Sequence, residues 1–168
     1  EVVGQAWKGR KPGGVSFGLG HAVVGHNRLT AYADGHSQMY GGTERADFSH
    51  VEGYEDHSVN LLYAWSAEGK LTGVVVNVAC PSQVGAGSRV SADFWHEVRQ
   101  NLRRTHGNLF LLPQCAPAGD LSPRLLHYRK AQERRFRLKA TTERQEIADR
   151  ITAAFDEVLA WASKDIRD

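Results

Sequence analysis

Leu71-Thr72-Gly73-Val74-Val75-Val76-Asn77-Val78-Ala79 is almost continuously apolar and β-branched, the pattern of a central strand covered on both faces. Just before it, Ala67-Glu68-Gly69 reads as a hairpin turn, which makes residues 59–66 the antiparallel partner. After it, Ser91 is a helix N-cap with Asp93 in the positive first turn. Phe94, Val98 and Leu102 then recur at a helical spacing, Arg103 and Arg104 occupy the last turn, and Gly107 stops the helix. Residues 109–112 form a short apolar strand. Strand, helix and strand in that order make a βαβ crossover, so the two strands are expected to be parallel neighbours. The fold class is α/β: a layered sheet with a parallel βαβ unit and flanking helices.

Working outward, Lys11-Pro12-Gly13-Gly14 reads as a turn and residues 15–24 as a strand interrupted by glycine, with a close backbone approach at Gly18 or Gly20. Residues 25–57 show little periodicity and form a long irregular N-terminal loop region, expected to be ordered because Tyr32, Tyr40, Phe48 and Tyr54 punctuate it. On the C-terminal side, 113–124 is a loop and 125–138 a very basic helix. Thr142 with Gln145 has the form of a capping box. The helix that follows carries Ile147, Ile151, Ala154, Phe155, Val158 and Ala162 on one face.

With 168 residues, 41% hydrophobic and 24% charged, the chain can bury a real core and is not disordered as a whole. The net charge is +2, with basic residues crowded between Arg124 and Lys139. This is a mild bias towards anions, and no nucleic-acid-binding motif accompanies it. The cluster reads as a solvated helix face, with peripheral contact to an anionic membrane head group as the alternative. No apolar run approaches the ~20 residues needed to span a bilayer. The first residue is Glu and no signal peptide is visible, so localisation cannot be read from the N-terminus. Cys80 and Cys115 are too few for a disulfide framework and read as buried thiols or one bridge.

Ligands of open α/β sheets bind beyond the carboxyl ends of parallel strands. Two segments leave the sheet there: Ala79-Cys80-Pro81-Ser82-Gln83, and the loop ending Gly119-Asp120-Leu121-Ser122-Pro123-Arg124. Gly119 permits a close backbone approach to a ligand. Asp120 can orient a neighbour. Ser122 is biased to an extended backbone by Pro123, and a hydroxyl so held can act as nucleophile or hydrogen-bond an oxyanion. The plain alternative is a helix start, with Ser122 as N-cap and Pro123 at the first helical position. Among eight histidines, His57 follows Glu52-Gly53-Tyr54-Glu55-Asp56. Those acids can orient its imidazole for acid–base work or as a metal ligand; the alternative is a solvated acidic turn. His96 reads as structural.

Gly-Asp-x-Ser-Pro-Arg after an apolar strand resembles the active-site hexapeptide of the neutral/alkaline ceramidases. Three more segments, all upstream of it, line up with the family in the same order. His26-Asn27-Arg28 is similar to that family's Asn-Arg segment, Ala79-Cys80-Pro81 lies where the family has a strand ending in a zinc-binding His, and Val90-Ser91-Ala92-Asp93 is similar to its Ser-Asp motif. The match runs from about Asn27 to Arg124. It implies that residues 1–168 are a single domain or part of a larger ceramidase-like catalytic domain.

The resemblance further implies a zinc-dependent hydrolase of an N-acyl amide bond in a small-molecule or lipid substrate. Zinc would activate a water, and Ser122 would hydrogen-bond near that water or the oxyanion. Arg28, with Asn27 and Gly119 beside it, would hold a substrate oxygen, and Asp120 would fix the loop. An extracytoplasmic location is implied in the same way. The chain departs from the family in having no His-x-His pair, and the central zinc position falls on Cys80, or on Pro81 with a one-residue shift. Thiolate is a competent zinc ligand; the family's Glu and Tyr ligands lie far downstream. The alternative is a non-catalytic relative that keeps the fold and binds a lipid or glycan without the metal.

Overall fold

The computed structural model describes residues 1–85 and 88–167. Its main sheet has four strands in the order β1 (Gly13–His21), β6 (Ser58–Ser66), β7 (Leu71–Val78) and β8 (Phe110–Cys115). The first two pairings are antiparallel and β7–β8 is parallel. The expected hairpin and βαβ crossover are both present, with α2 (Phe94–His106) as the crossover helix. β8 runs three residues further than expected. Pro113 is accommodated because β8 is an edge strand, where a missing N–H breaks no essential ladder.

One face of this sheet is the core. Val59, Leu61, Tyr63, Val74, Val76 and Val78 point into it, and α2 and α4 (Glu143–Ala162) close it with Phe94, Val98, Leu102, Ile151, Phe155 and Val158. The face of α4 read from its periodicity is buried at every named position. A buried side chain of this size contributes roughly 1.5–3 kcal/mol, so this layer dominates the stability. α4 lies so close to β1 that a Cβ at Gly18 would overlap Val158, and one at Gly20 would crowd Val158 and Ala154.

The opposite face corrects the expectation for β7. Val75 and Asn77 are only partly covered, Phe17, Leu19, Phe110 and Leu112 are exposed, and together the strands floor a shallow concavity of about 440 Å³. The near-continuous apolar run does not distinguish a strand covered twice from one whose second face stays open among the described residues.

The stretch from 25 to 57 is more regular than its sequence suggested. It contains β2 (His26–Asn27) and a small antiparallel sheet in the order β4 (Ser37–Met39), β3 (Leu29–Tyr32), β5 (Phe48–Val51). Such short strands carry no readable alternation. Thr30 is fully buried, and its hydroxyl donates to the Gln38 carbonyl at 2.9 Å, so polar bonds replace apolar periodicity.

Other boundaries also moved. The N-cap of α2 is Asp93, not Ser91: its carboxylate accepts from Phe94 N (2.8 Å) and Gly85 N (2.7 Å), while Ser91 Oγ accepts from Asp93 N. Thr142 caps α4 by accepting from Gln145 N, but the Gln145 side chain bonds Asn101 and Asp149 instead of closing the box. The basic helix α3 (Arg129–Leu138) starts after Tyr128 at φ 60°, so 125–128 stay outside it. An unforeseen short helix, α1 (Val2–Lys8), precedes β1 and buries nothing. Neither cysteine is bridged; Cys80 is buried and Cys115 exposed.

Candidate functional site

The loop after β8 returns as β9 (Leu121–Ser122), which pairs antiparallel with β2: His26 faces Ser122 and Asn27 faces Leu121. Ser122 is therefore a strand residue 2% exposed, not the start of a helix. The ladder continues where Arg28 N donates to the Asp120 carbonyl at 2.9 Å. Two segments far apart in sequence are thus held in register by main-chain bonds, and their side chains reinforce the pairing. Asn27 Nδ2 donates to Asp120 Oδ2 at 2.9 Å, and Asn27 Oδ1 accepts from Leu29 N at 2.9 Å. Arg28 Nη2 donates to the Gly119 carbonyl at 2.6 Å and Nη1 to the Tyr40 phenol at 3.1 Å, while Nε is buried without a partner. Asn27, Arg28, Gly119, Asp120 and Ser122 consequently form one cluster.

Tyr40 belongs to the same cluster and was not anticipated. Its φ is 57°, a left-handed conformation unfavourable for a bulky residue. Its phenol also reaches Gln83 Oε1 at 3.5 Å. Burial raises its pKa, but bonds to Arg28 and Ser122 and the charges of Arg28 and Arg124 outweigh this and bring it below the ordinary tyrosine value. Tyr40 also lines a groove of about 680 Å³, together with Gly41, Gly42, His127 and Tyr128. No sequence signal marks Tyr40 as part of a site, because its place depends on the turn that follows β4.

His57 does not touch Ser122. It joins the cluster through Glu55, the acid of its turn that orients an imidazole. His57 Nε2 lies 3.0 Å from Glu55 Oε2, and His26 Nδ1 lies 3.2 Å from each Glu55 oxygen. The Asn27 N–H, which points away from β9, donates to Glu55 Oε1 at 3.1 Å. Burial alone would raise the Glu55 pKa, but the two histidines and the Asn27 amide outweigh it and hold the carboxyl below the usual Glu value. His26 is 8% exposed. Its neighbour Asn27 was singled out from the sequence, whereas His26 gave no signal beyond adjacency.

Cys80 lies apart, at the end of β7. Its thiol donates to the Val24 carbonyl at 3.3 Å. Burial, reinforced by the negative charges of Cys115, Asp93 and Glu143, pushes it up to about 12. A zinc ligand must be a thiolate with further donors around it. Here the sulfur is held protonated on a carbonyl, and among the described residues no three His, Cys, Asp or Glu side chains are grouped to hold a metal. The residues present do not fit a zinc ion.

No protein-family model matches the sequence, and no curated protein does either. Solved structures do. The chain superposes on the neutral ceramidase from Pseudomonas aeruginosa with a TM-score of 0.62 at 18% identity, over 98% of this chain and 25% of that one. It superposes on a ceramidase complexed with C2 with a TM-score of 0.59 at 17% identity, over 93% of this chain and 23% of that one. The fold is ceramidase-like. The chain spans about a quarter of the length of these neighbours. No described helix is long and apolar enough to cross a membrane.

Proposed function

We propose that this chain carries the serine-bearing part of a hydrolase site that cleaves an N-acyl amide bond in a lipid-like substrate, as the ceramidase resemblance implies. The observation that supports this best is the β2–β9 ladder. It brings Asn27-Arg28 against Gly119-Asp120 and sets Ser122 beside them, the two segments on which the resemblance rests. In this reading Ser122 attacks the acyl carbon or hydrogen-bonds its oxyanion. Arg28 offers a guanidinium to a substrate oxygen, Asp120 holds Asn27 and the loop, and the groove beside Tyr40, lined by Leu126, His127 and Tyr128 but also by Glu44, Arg129 and Lys130, takes the rest of the substrate. Zinc, implied by the resemblance, finds no grouped ligands among the described residues, so no step is routed through a metal.

The test is hydrolysis of a panel of N-acyl amides, ceramides included, with added zinc and with chelator, by the wild type and by Ser122→Ala. Cleavage of at least one amide that Ser122→Ala loses supports the reading. A second reading, a non-catalytic lipid- or glycan-binding relative, is favoured by the Cys80 thiol standing where the family has a zinc-binding His. It predicts no cleavage of any substrate, together with saturable binding that Ser122→Ala leaves intact.

A further inference from the structure

Arg28 and Arg124 converge on Tyr40. The Arg28 guanidinium carbon lies 5.5 Å from the centre of the Tyr40 ring, and that of Arg124 lies 5.8 Å from it. Arg28 clasps Tyr40 at both ends: its Nη1 donates to the phenol at 3.1 Å, and its carbonyl accepts from Tyr40 N at 2.7 Å. Arg124 N donates to Ser122 Oγ at 3.1 Å. Two guanidinium groups and a phenol are thus gathered against one serine.

No acid balances them at close range. Among the described residues neither Arg28 nor Arg124 forms an ion pair, whereas Arg45, Arg135, Arg144, Arg150 and Arg167 do. Arg28 bonds two neutral acceptors, the Gly119 carbonyl and the phenol, and its Nε is buried without a partner. Asp120 in the adjoining loop has Oδ2 occupied by Asn27. Glu143 feels the Arg124 charge, but burial outweighs it and raises that carboxyl above the usual Glu value. The Tyr40 phenol registers the positive potential that results, since both guanidinium charges draw its pKa down. Further along the groove the charges cancel: Arg129 and Lys130 stand with Glu44 and Glu133, and Lys130 Nζ is 3.6 Å from Glu44 Oε1. The surplus positive charge therefore lies at the Tyr40 end, beside Ser122.

We propose that Arg28, Arg124 and Tyr40 form a carboxylate-binding subsite, and that the substrate is an N-acyl amino acid, whose carboxylate stands on the carbon next to the amide nitrogen. This rests on the reading of Ser122 as the reacting residue. A guanidinium holds a carboxylate through paired, charge-assisted bonds, and the two arginines supply the opposite charge that an anionic head group needs. Because the subsite and Ser122 share Tyr40, the anion must lie close to the scissile bond. A carboxylate on the carbon attached to nitrogen meets that condition, and one at the far end of an acyl chain does not. The acyl chain then follows the groove past Leu126, His127 and Tyr128. Hydrolysis places the hydroxyl of water on the acyl carbon and its proton on the nitrogen, releasing a fatty acid and an amino acid.

The test reads binding and turnover separately, with N-dodecanoylglycine and N-dodecanoylethanolamine. The two share an acyl chain and an amide and differ in a carboxylate against a hydroxyl. Calorimetric titration of Ser122→Ala, which keeps the subsite, should show the glycine compound binding about 10-fold or more tighter, with the advantage shrinking as salt is raised. Adding Arg124→Gln should remove most of that advantage and Arg124→Lys should restore part of it, a response to charge that a purely structural arginine would not show. The bond from Arg124 to Ser122 is made by the main chain, so both variants keep it, and a thermal melt checks that they fold. In the wild type kcat/KM should favour the glycine compound by a similar factor. Equal binding of the two compounds, or an advantage that Arg124→Gln leaves unchanged, would overturn the subsite. Cleavage of the ethanolamide with no preference for the glycine compound would overturn it too, and would leave the proposed function standing. Tighter, Arg124-dependent binding of the glycine compound with neither amide cleaved would uphold the subsite and overturn the proposed function.

Discussion

The helix-covered face of the main sheet and the β2–β9 patch are held together by different physics. On the first, α4 lays Ile151, Phe155 and Val158 on β1 and β6, and the contact is apolar. On the second, two strands of two residues each are joined by a short ladder, the Asn27–Asp120 bond, the Arg28–Gly119 bond and a carboxylate shared by two histidines. Apolar burial scales with area and tolerates approximate fits. A hydrogen-bonded cluster is directional, and each buried group that loses its partner costs roughly 1–3 kcal/mol. The first region should therefore control whether the chain folds, and the second whether it reacts.

The largest expected separation comes from one substitution in each region. Ser122→Ala should lower turnover of a cleaved amide by roughly 1000-fold or more, while its stability falls by only about 1 kcal/mol for the Arg124 N–H left without a partner. Phe155→Ala should do the opposite: about 3–5 kcal/mol lost in urea unfolding, with the activity of the remaining folded fraction close to wild type. Similar stability losses for both would erase the distinction. Gly18→Ala, which forces a methyl into Val158, should cost about 1–3 kcal/mol without touching activity.

A smaller effect tests the cluster itself. Asn27→Ala and Asp120→Ala each break a bond spanning 93 residues of sequence. A double-mutant cycle should return a coupling of about 1 kcal/mol, with both single variants losing activity as the loop loses its register. Additive losses would mean that the ladder bonds alone hold Ser122 in place.

The same contrast explains what could be read from the sequence. The hairpin of β6 and β7, the βαβ crossover and the buried face of α4 were legible because periodicity encodes burial of one face over many residues. The open second face of β7 was not, because whether a run such as Val74-Val75-Val76 is covered twice depends on what packs there. In the site, Asn27, Arg28, Gly119, Asp120 and Ser122 were singled out from motifs, and they meet. His26, Glu55 and Tyr40 were missed. Each is placed by a tertiary contact: a two-residue ladder, a shared carboxylate, and a turn residue at positive φ. None of these leaves a pattern longer than a dipeptide.

The smallest predicted effect lies in the acid limb of stability. Glu55 has a folded-state pKa below its unfolded value because His26, His57 and the Asn27 amide favour its charge more than burial opposes it. A carboxyl depressed in this way stabilises the fold at pH values above its unfolded pKa. That contribution is lost as pH falls through the lower, folded-state value. Unfolding followed between neutral pH and the acid range should therefore show wild type losing stability to acid more steeply than Glu55→Gln, with the two curves converging at the acid end. The difference should be modest, because Glu55 is only partly shielded from water. Parallel curves would mean that the two histidines hold Glu55 no better folded than unfolded, and the anchoring of His26 beside Ser122 would lose its electrostatic basis.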